Sequence, residues 1–247
     1  MRTTIVIPTY NEAENLPKLV SALFSLPLDL RVLVVDDNSP DGTGPIADEI
    51  AKKDDRVRIL HRAHKGGLRS AYLNAFRQAI ANGADAVLQM DADFSHDPTK
   101  IAGLIEFAQS FDLVIGSRYI SGGSVDESWP LWRRNLSAFG NIYSRAILRV
   151  PQHDVTSGFR LWRRETLLGM PLDRVRASGY VFQVEMAYLA FCLEYKIGEF
   201  PIYFPDRSIG KSKMSFAIQA EAAIRVWQVW WNYRDLRRAG KSARLSV

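Results

Sequence analysis

Apolar runs of strand length alternate with helical periods through the first half of this chain, the rhythm of a sheet with helices on its faces. Thr4 to Pro8 reads as the first strand. Leu16, Leu19, Val20 and Leu23 then recur at helical spacing, with Pro17 in the first turn, where its missing N–H is tolerated. Arg31 to Asp36 reads as a second strand, stopped by the turn-rich Asp37-Asn38-Ser39-Pro40-Asp41-Gly42. A short helix from about Pro45 leads to a third strand, Val57 to Leu60, and His64-Lys65-Gly66-Gly67 opens a helix from Leu68 to about Ala81. A strand from Ala86, a helix near Pro98 and the strand Leu113 to Gly116 complete this half, so the fold class is α/β.

After Tyr119 the texture changes. Ser121 to Ser128 has no apolar periodicity and reads as a mobile loop of the kind that closes over substrates. Helical periods cover Trp132 to Arg149 and Tyr180 to Leu193, extended runs lie near Ile197 to Phe204, and a long helix begins near Ser215.

The apolar run Ala86-Val87-Leu88-Gln89-Met90 ends in Asp91-Ala92-Asp93. A buried strand there delivers two carboxylates to a C-terminal sheet edge, where open α/β sheets place their ligands. Two such carboxylates repel unless a cation lies between them, and Mg²⁺ or Mn²⁺ suits oxygen ligands completed by substrate phosphates. Asp-x-Asp also occurs in ordinary polar turns, so the motif gains weight only from its surroundings.

With 247 residues, 47% of them hydrophobic, the chain has room for one sizeable α/β domain and a small appendage. A single cysteine, Cys192, excludes an internal disulfide framework and a cysteine metal cluster, and the expected compartment is the cytoplasm. Met1 to Pro8 runs into a strand without the features of a signal peptide. Glu185 breaks one long apolar stretch, and Glu221 and Arg225 break another, so no run is long enough to span a bilayer. The net charge of +5 is mild, but arginines crowd the second half, which suits an anionic substrate or membrane surface rather than nucleic acid.

Pro8-Thr9-Tyr10-Asn11-Glu12, Val35-Asp36-Asp37, Asp91-Ala92-Asp93 and Gly116-Ser117-Arg118-Tyr119 together resemble the inverting glycosyltransferases with the GT-A fold. Asp154-Val155-Thr156-Ser157-Gly158-Phe159-Arg160 and Arg207-Ser208-Ile209-Gly210-Lys211-Ser212-Lys213 narrow the resemblance to the polyprenyl-phosphate sugar synthases of the dolichol-phosphate mannose type. It implies a GT-A (Rossmann-like) mixed sheet flanked by helices, with a catalytic domain over 1–214 and an amphipathic helix with a basic tail over 215–247.

The resemblance places Pro8, Tyr10, Glu12, Val35 and Asp37 around a nucleotide's base and ribose, although strand-end packing explains Pro8 and Val35 equally well. Asp36 serves alternatively as a cap for its turn. Asp91 and Asp93 would hold the metal against the donor diphosphate around the backbone of Ala92, with Ser95 as a weak neutral ligand. Arg207 and Lys213 would bind phosphate, and Arg118 and Arg134 would grip an acceptor phosphate, with Arg133 competing for that role. Asp154 is the candidate base for a hydroxyl acceptor, or else orients Arg160 or a sugar hydroxyl. The four histidines have no metal-ligand spacing and read as loop polar groups, His96 alone having a possible place near the donor.

The implied reaction moves mannose from GDP-mannose to dolichyl or another polyprenyl phosphate. Rivals are the same chemistry with UDP-glucose or UDP-N-acetylglucosamine, a nucleotidyltransferase, and a non-enzymatic sensor of nucleotide sugars. In the last helix Glu221, Arg225, Gln228, Asn232 and Asp235 form a polar stripe, while Ile224, Val226, Trp227, Val229, Trp230, Trp231 and Tyr233 spread over a wide apolar arc. That arc, with Arg234, Arg237 and Arg238 beside it, suits the cytoplasmic membrane face or a membrane-embedded anchor protein.

Overall fold

A computed structural model describes residues 1–206 and 216–246, with side chains described outside 216–222. The central sheet contains β1 (Thr3–Thr9), β2 (Leu30–Asp36), β3 (Val57–His61), β4 (Ala86–Gln89) and β5 (Leu113–Ser117). A small separate pair is made by β6 (Ser124–Val125) and β9 (Tyr203–Phe204), and β7 (Arg160–Arg163) and β8 (Ile197–Pro201) complete the large sheet in the order β3-β2-β1-β4-β7-β5-β8. Every neighbouring pair in it is parallel except those made by β7, which runs against both β4 and β5.

Alternating side chains of the central strands feed two cores. Ile5, Ile7, Val32, Val34 and Leu88 face α1 (Leu16–Phe24), α2 (Thr43–Lys53) and α4 (Ile101–Phe107). Val6, Leu33, Val87 and Trp162 face α3 (Leu68–Ala81) and α7 (Tyr180–Cys192). Between these lie α5 (Leu131–Leu148) and the short α6 (Arg164–Gly169), and the chain ends with α8 (Phe216–Asn232) and α9 (Arg234–Ala239).

The strand β7 departs from expectation, because Arg-Leu-Trp-Arg carries no strand-length apolar run. Arg160 is nevertheless wholly buried, with its guanidinium donating to the carbonyls of Val155, Ser157 and Gln183 at 2.6–2.7 Å. Burial pushes its pKa down to about 9. Reversal of this strand puts its start, rather than its end, at the edge where β4 and β5 finish.

The stretch Ser121 to Ser128, expected to be a free loop, is pinned. Ser124 and Val125 pair with Tyr203 and Phe204, and Asp126 accepts hydrogen bonds from Ser128 N, Tyr203 Oη and Asp206 N.

The terminal helices divide their wide apolar arc, one face packing on the catalytic domain and the rest staying exposed. Val226, Val229, Tyr233 and Leu236 enter the same core as Trp162, and Trp230 is partly buried against it. Helix α8 stops at Asn232, and Tyr233, in a non-helical conformation, turns its ring inward. Among the described residues no helix is long and apolar enough to cross a membrane. The boundary expected at 214/215 lies outside the described residues.

Candidate active site

Because β1, β2, β4 and β5 run the same way, Pro8 to Glu12, Asp36-Asp37, Asp91 to Asp93 and Arg118 emerge at one sheet edge. The reversed β7 brings Asp154 to Phe159 to the same edge.

The acidic turn is built rigidly. Ser95 N donates to Asp93 Oδ1 at 3.0 Å, and Asp91 N donates to His96 Nδ1 at 3.0 Å. Accepting that bond leaves the proton of a neutral His96 on Nε2. The His96 ring is buried and stacked on Phe159 at 4.8 Å, so it acts as a strut beneath the turn rather than as a loop polar group. Asp93 is nearly buried, and the Ser95 hydroxyl is buried without a hydrogen-bond partner among the described residues. An orphaned hydroxyl beside two carboxylates fits a hard divalent cation whose remaining positions belong to water or ligand oxygens. Among the described residues no three or more His, Cys, Asp or Glu side chains group to hold a metal, so Asp91, Asp93 and Ser95 would hold it only in an open shell. The buried Ala92 contributes backbone alone.

At the β1 and β2 ends the sequence expectations divide. Val35 is wholly buried in the core, which gives it the strand-end packing role, while Pro8 is half-buried beside it. Asp36 closes its turn by accepting from Ser39 N, Ser39 Oγ and Thr9 Oγ1. Asp37 pairs with Arg62 at 2.7 Å, and burial, outweighing that cation, raises its pKa. Glu12 accepts from Asn15 Nδ2 at 2.9 Å. Tyr10 is exposed and carries the Lys65 ammonium 3.6 Å above its ring. Sequence reasoning took the loop after β3 only as a helix opening; its signal was the basic, glycine-bearing Arg62-Ala63-His64-Lys65-Gly66-Gly67.

At the β5 end Arg118 donates through Nε and Nη2 to the two oxygens of Asp154, each at 2.7 Å, and its own backbone N–H donates to Asp154 Oδ2 at 3.0 Å. Nη2 also donates to Thr156 Oγ1. Asp154 is wholly buried and accepts from Ser157 N as well, while Glu199 on β8 accepts from the backbone of His153 and Asp154. Burial alone would raise the Asp154 pKa, but Arg118 holds it below the ordinary carboxylate range. A general base must reach its proton, and this carboxylate is enclosed and engaged with Arg118, an arrangement that favours the orienting role over the base role. The remaining guanidinium nitrogen, Nη1, has no hydrogen-bond partner among the described residues.

Arg133 and Arg134, which the sequence could not rank, part on α5. Arg133 pairs with Asp206 at 2.8 Å and lies 3.7 Å over the Trp129 ring. Arg134 is half-buried, with no ion pair from its side chain to the described residues. Arg207 and Lys213 lie outside the described residues.

Residues 4–168 match the family "Glycosyl transferase family 2". The chain is 43% identical over 94% of its length to polyprenol monophosphomannose synthase of Mycolicibacterium smegmatis, covering 88% of that protein. It is 42% identical over 96% of its length to undecaprenyl-phosphate mannosyltransferase of Micrococcus luteus, covering 98% of that protein. Its fold is similar to that of a Pyrobaculum calidifontis mannosyltransferase solved with GDP-mannose and Mn²⁺, with a TM-score of 0.61 at 19% identity over 98% of this chain and 69% of the other. It is also similar to mannosyl-3-phosphoglycerate synthase from Rubrobacter xylanophilus, with a TM-score of 0.63 at 15% identity over 98% and 76% of the two chains. The mixed sheet is therefore of GT-A type, and the chain belongs to glycosyl transferase family 2 and is a glycosyltransferase.

Proposed function

We propose that this enzyme transfers mannose from GDP-mannose to a polyprenyl phosphate such as dolichyl phosphate, with inversion, at the cytoplasmic face of a membrane. The observation that carries this reading is the commitment of Asp154 to Arg118. A hydroxyl acceptor needs a base at that end, whereas a phosphate monoester, with a second pKa of about 6, arrives already largely deprotonated. Arg118 Nη1 and Arg134 then hold and aim the acceptor phosphate. The names of the polyprenol monophosphomannose synthase and undecaprenyl-phosphate mannosyltransferase relatives support mannose as the sugar and a polyprenyl phosphate as the acceptor.

At the donor end, Tyr10, Glu12 and Asp37 receive the nucleoside, and Arg207 and Lys213 meet the diphosphate. Mg²⁺ or Mn²⁺, held by Asp91, Asp93 and Ser95, supplies positive charge to the departing diphosphate. The Mn²⁺ complex of the Pyrobaculum calidifontis fold relative supports a divalent ion.

The outer surface supports membrane docking. Leu131, Trp132, Phe139 and Ile142 on α5 are exposed, as are Ile224, Trp227 and Trp231 on α8. Tyr143 links the two helices, its hydroxyl donating to Ala223 O and accepting from Trp227 Nε1. Arg234 lies 3.7 Å over Trp231, adding charge beside the aromatic surface. An exposed apolar patch of this extent, rimmed by arginine, suits anionic lipid headgroups and brings the site to an acceptor whose tail stays in the bilayer.

Incubation with labelled GDP-mannose, UDP-glucose or UDP-N-acetylglucosamine and a polyprenyl phosphate, followed by identification of the lipid product, tests the reading. A mannosyl lipid formed from GDP-mannose is expected; a glucosyl or N-acetylglucosaminyl lipid in its place would refute the donor assignment.

A further inference from the structure

Helix α7 is apolar and buried almost all round, yet it carries Glu185 at 1% exposure, and the chemistry described above does not use it. Its two oxygens face different parts of the chain. Oε2 accepts from the backbone N–H groups of Arg176 and Ala177, at 2.9 and 2.6 Å, and Oε1 accepts from Tyr233 Oη at 3.0 Å. Burial pushes the Glu185 carboxyl upward, and these three donors oppose it. Such a carboxylate is held in place only while all its partners are.

The backbone it holds leads directly to the acceptor end. Past Ala177 the chain passes Gly179, whose φ of 58° and ψ of −139° suit glycine alone, and enters α7 at the exposed Tyr180. Two residues before Glu185, Gln183 O accepts from Arg160 Nη1 at 2.6 Å, and the same guanidinium holds the carbonyls of Val155 and Ser157, next to the Asp154 that engages Arg118. From the other side Arg174 donates to Asn232 O at 2.6 Å and pairs with Asp235 at 2.7 Å, so the α8–α9 junction grips the same segment twice.

We infer that Glu185 and Tyr233 are positioning residues, tying the seat of the C-terminal helices to residues 176–180 and so holding the wall of the acceptor site beside Arg118. The inference rests on the polyprenyl-phosphate reading for the identity of the acceptor, and on the hydrogen bonds alone for the tie. Seating of α8 is thereby linked to acceptor binding, with no part in donor binding.

Two variants test it. Tyr233→Phe removes one hydroxyl and keeps the buried ring; Glu185→Gln keeps the shape but offers one accepting oxygen where two are used. The readouts are KM for a short-chain, detergent-soluble polyprenyl phosphate, KM for GDP-mannose, and hydrogen exchange at the Arg176 and Ala177 amides. Tyr233→Phe should raise the acceptor KM about five-fold, leave the donor KM within about two-fold, and speed exchange at both amides. Glu185→Gln should do the same more strongly. Donor and acceptor KM rising together, or faster exchange with an unchanged acceptor KM, would show ordinary structural residues and overturn the inference. Exchange needs no substrate: an error in the acceptor reading appears as absent transfer in the unaltered enzyme, an error here as unaltered amide exchange in Tyr233→Phe.

Discussion

Arg118 and Asp154 form a two-pronged ion pair, Nε and Nη2 of the guanidinium each lying 2.7 Å from a carboxylate oxygen. The fork that was expected to grip a substrate phosphate is thus used inside the protein, and the proposed acceptor contact falls to Nη1. Asp154→Asn should unlatch Arg118 and leave a buried cation short of its partner. Turnover should fall about 100-fold, with the variant destabilised by about 3 kcal/mol. A folded-state pKa below the ordinary value means that Asp154 stabilises the protein above about pH 4 and that this is lost as pH falls through the lowered value. Acid unfolding of Asp154→Asn should therefore lack that component. A rate limb in or below the carboxylate range, present in the unaltered enzyme with a non-ionising acceptor and absent in Asp154→Asn, would restore the base role.

Asp93→Asn should abolish most transfer while leaving the thermal transition close to that of the parent, because a neutral amide binds a hard cation weakly and preserves the hydrogen bond from Ser95 N. Titration calorimetry with Mn²⁺ and GDP-mannose checks this. Undiminished transfer in excess chelator would falsify the metal assignment.

Arg133 and Arg134 give opposite expectations. Arg134→Ala should raise KM for polyprenyl phosphate about 10- to 100-fold, the worth of charged hydrogen bonds to phosphate, and Arg134→Lys should recover only part. Arg133→Ala should change it by no more than about three-fold, since its partner is a half-exposed Asp206. The reverse order would exchange their roles.

Much of this was legible before the structure. Strand-length apolar runs located β1, β2, β4 and β5, since buried parallel strands must be apolar on both faces, and the shorter Val57 to Leu60 run located the edge strand β3. Other features were hidden because the long-range partner decides them. Nothing in the composition of this segment tells that Arg160 can enter a sheet; the carbonyls of Val155 and Ser157 just upstream, turned toward it, and that of Gln183 on α7 make it possible. Asp154 read as a base or as an orienting carboxylate, and its partner Arg118, 36 residues away, was not legible locally. Helical periodicity assigned Tyr233 to the outer arc because it could not see α8 end at Asn232. The expected phosphate contacts of Arg207 and Lys213 rest on their motif alone.

The exposure of the α8 tryptophans selects the variant that tests docking. Trp230 packs partly on the core, whereas Trp227 and Trp231 are exposed. Replacing Trp227 and Trp231 with Ser should reduce sedimentation with anionic vesicles about ten-fold and slow transfer to a long-chain acceptor, sparing a short soluble one. Unchanged vesicle binding would show that this surface serves another purpose.

The account turns on an acceptor end built from cations rather than around a base, and the most direct measurement compares a polyprenyl phosphate with the matching polyprenol under identical conditions. The phosphate should be mannosylated with a rate that rises as its second ionisation, near pH 6, is completed, and the alcohol should react at less than about 1% of that rate. Comparable rates for the two would contradict the account, because an alcohol can be used at such a rate only if a protein group takes its proton.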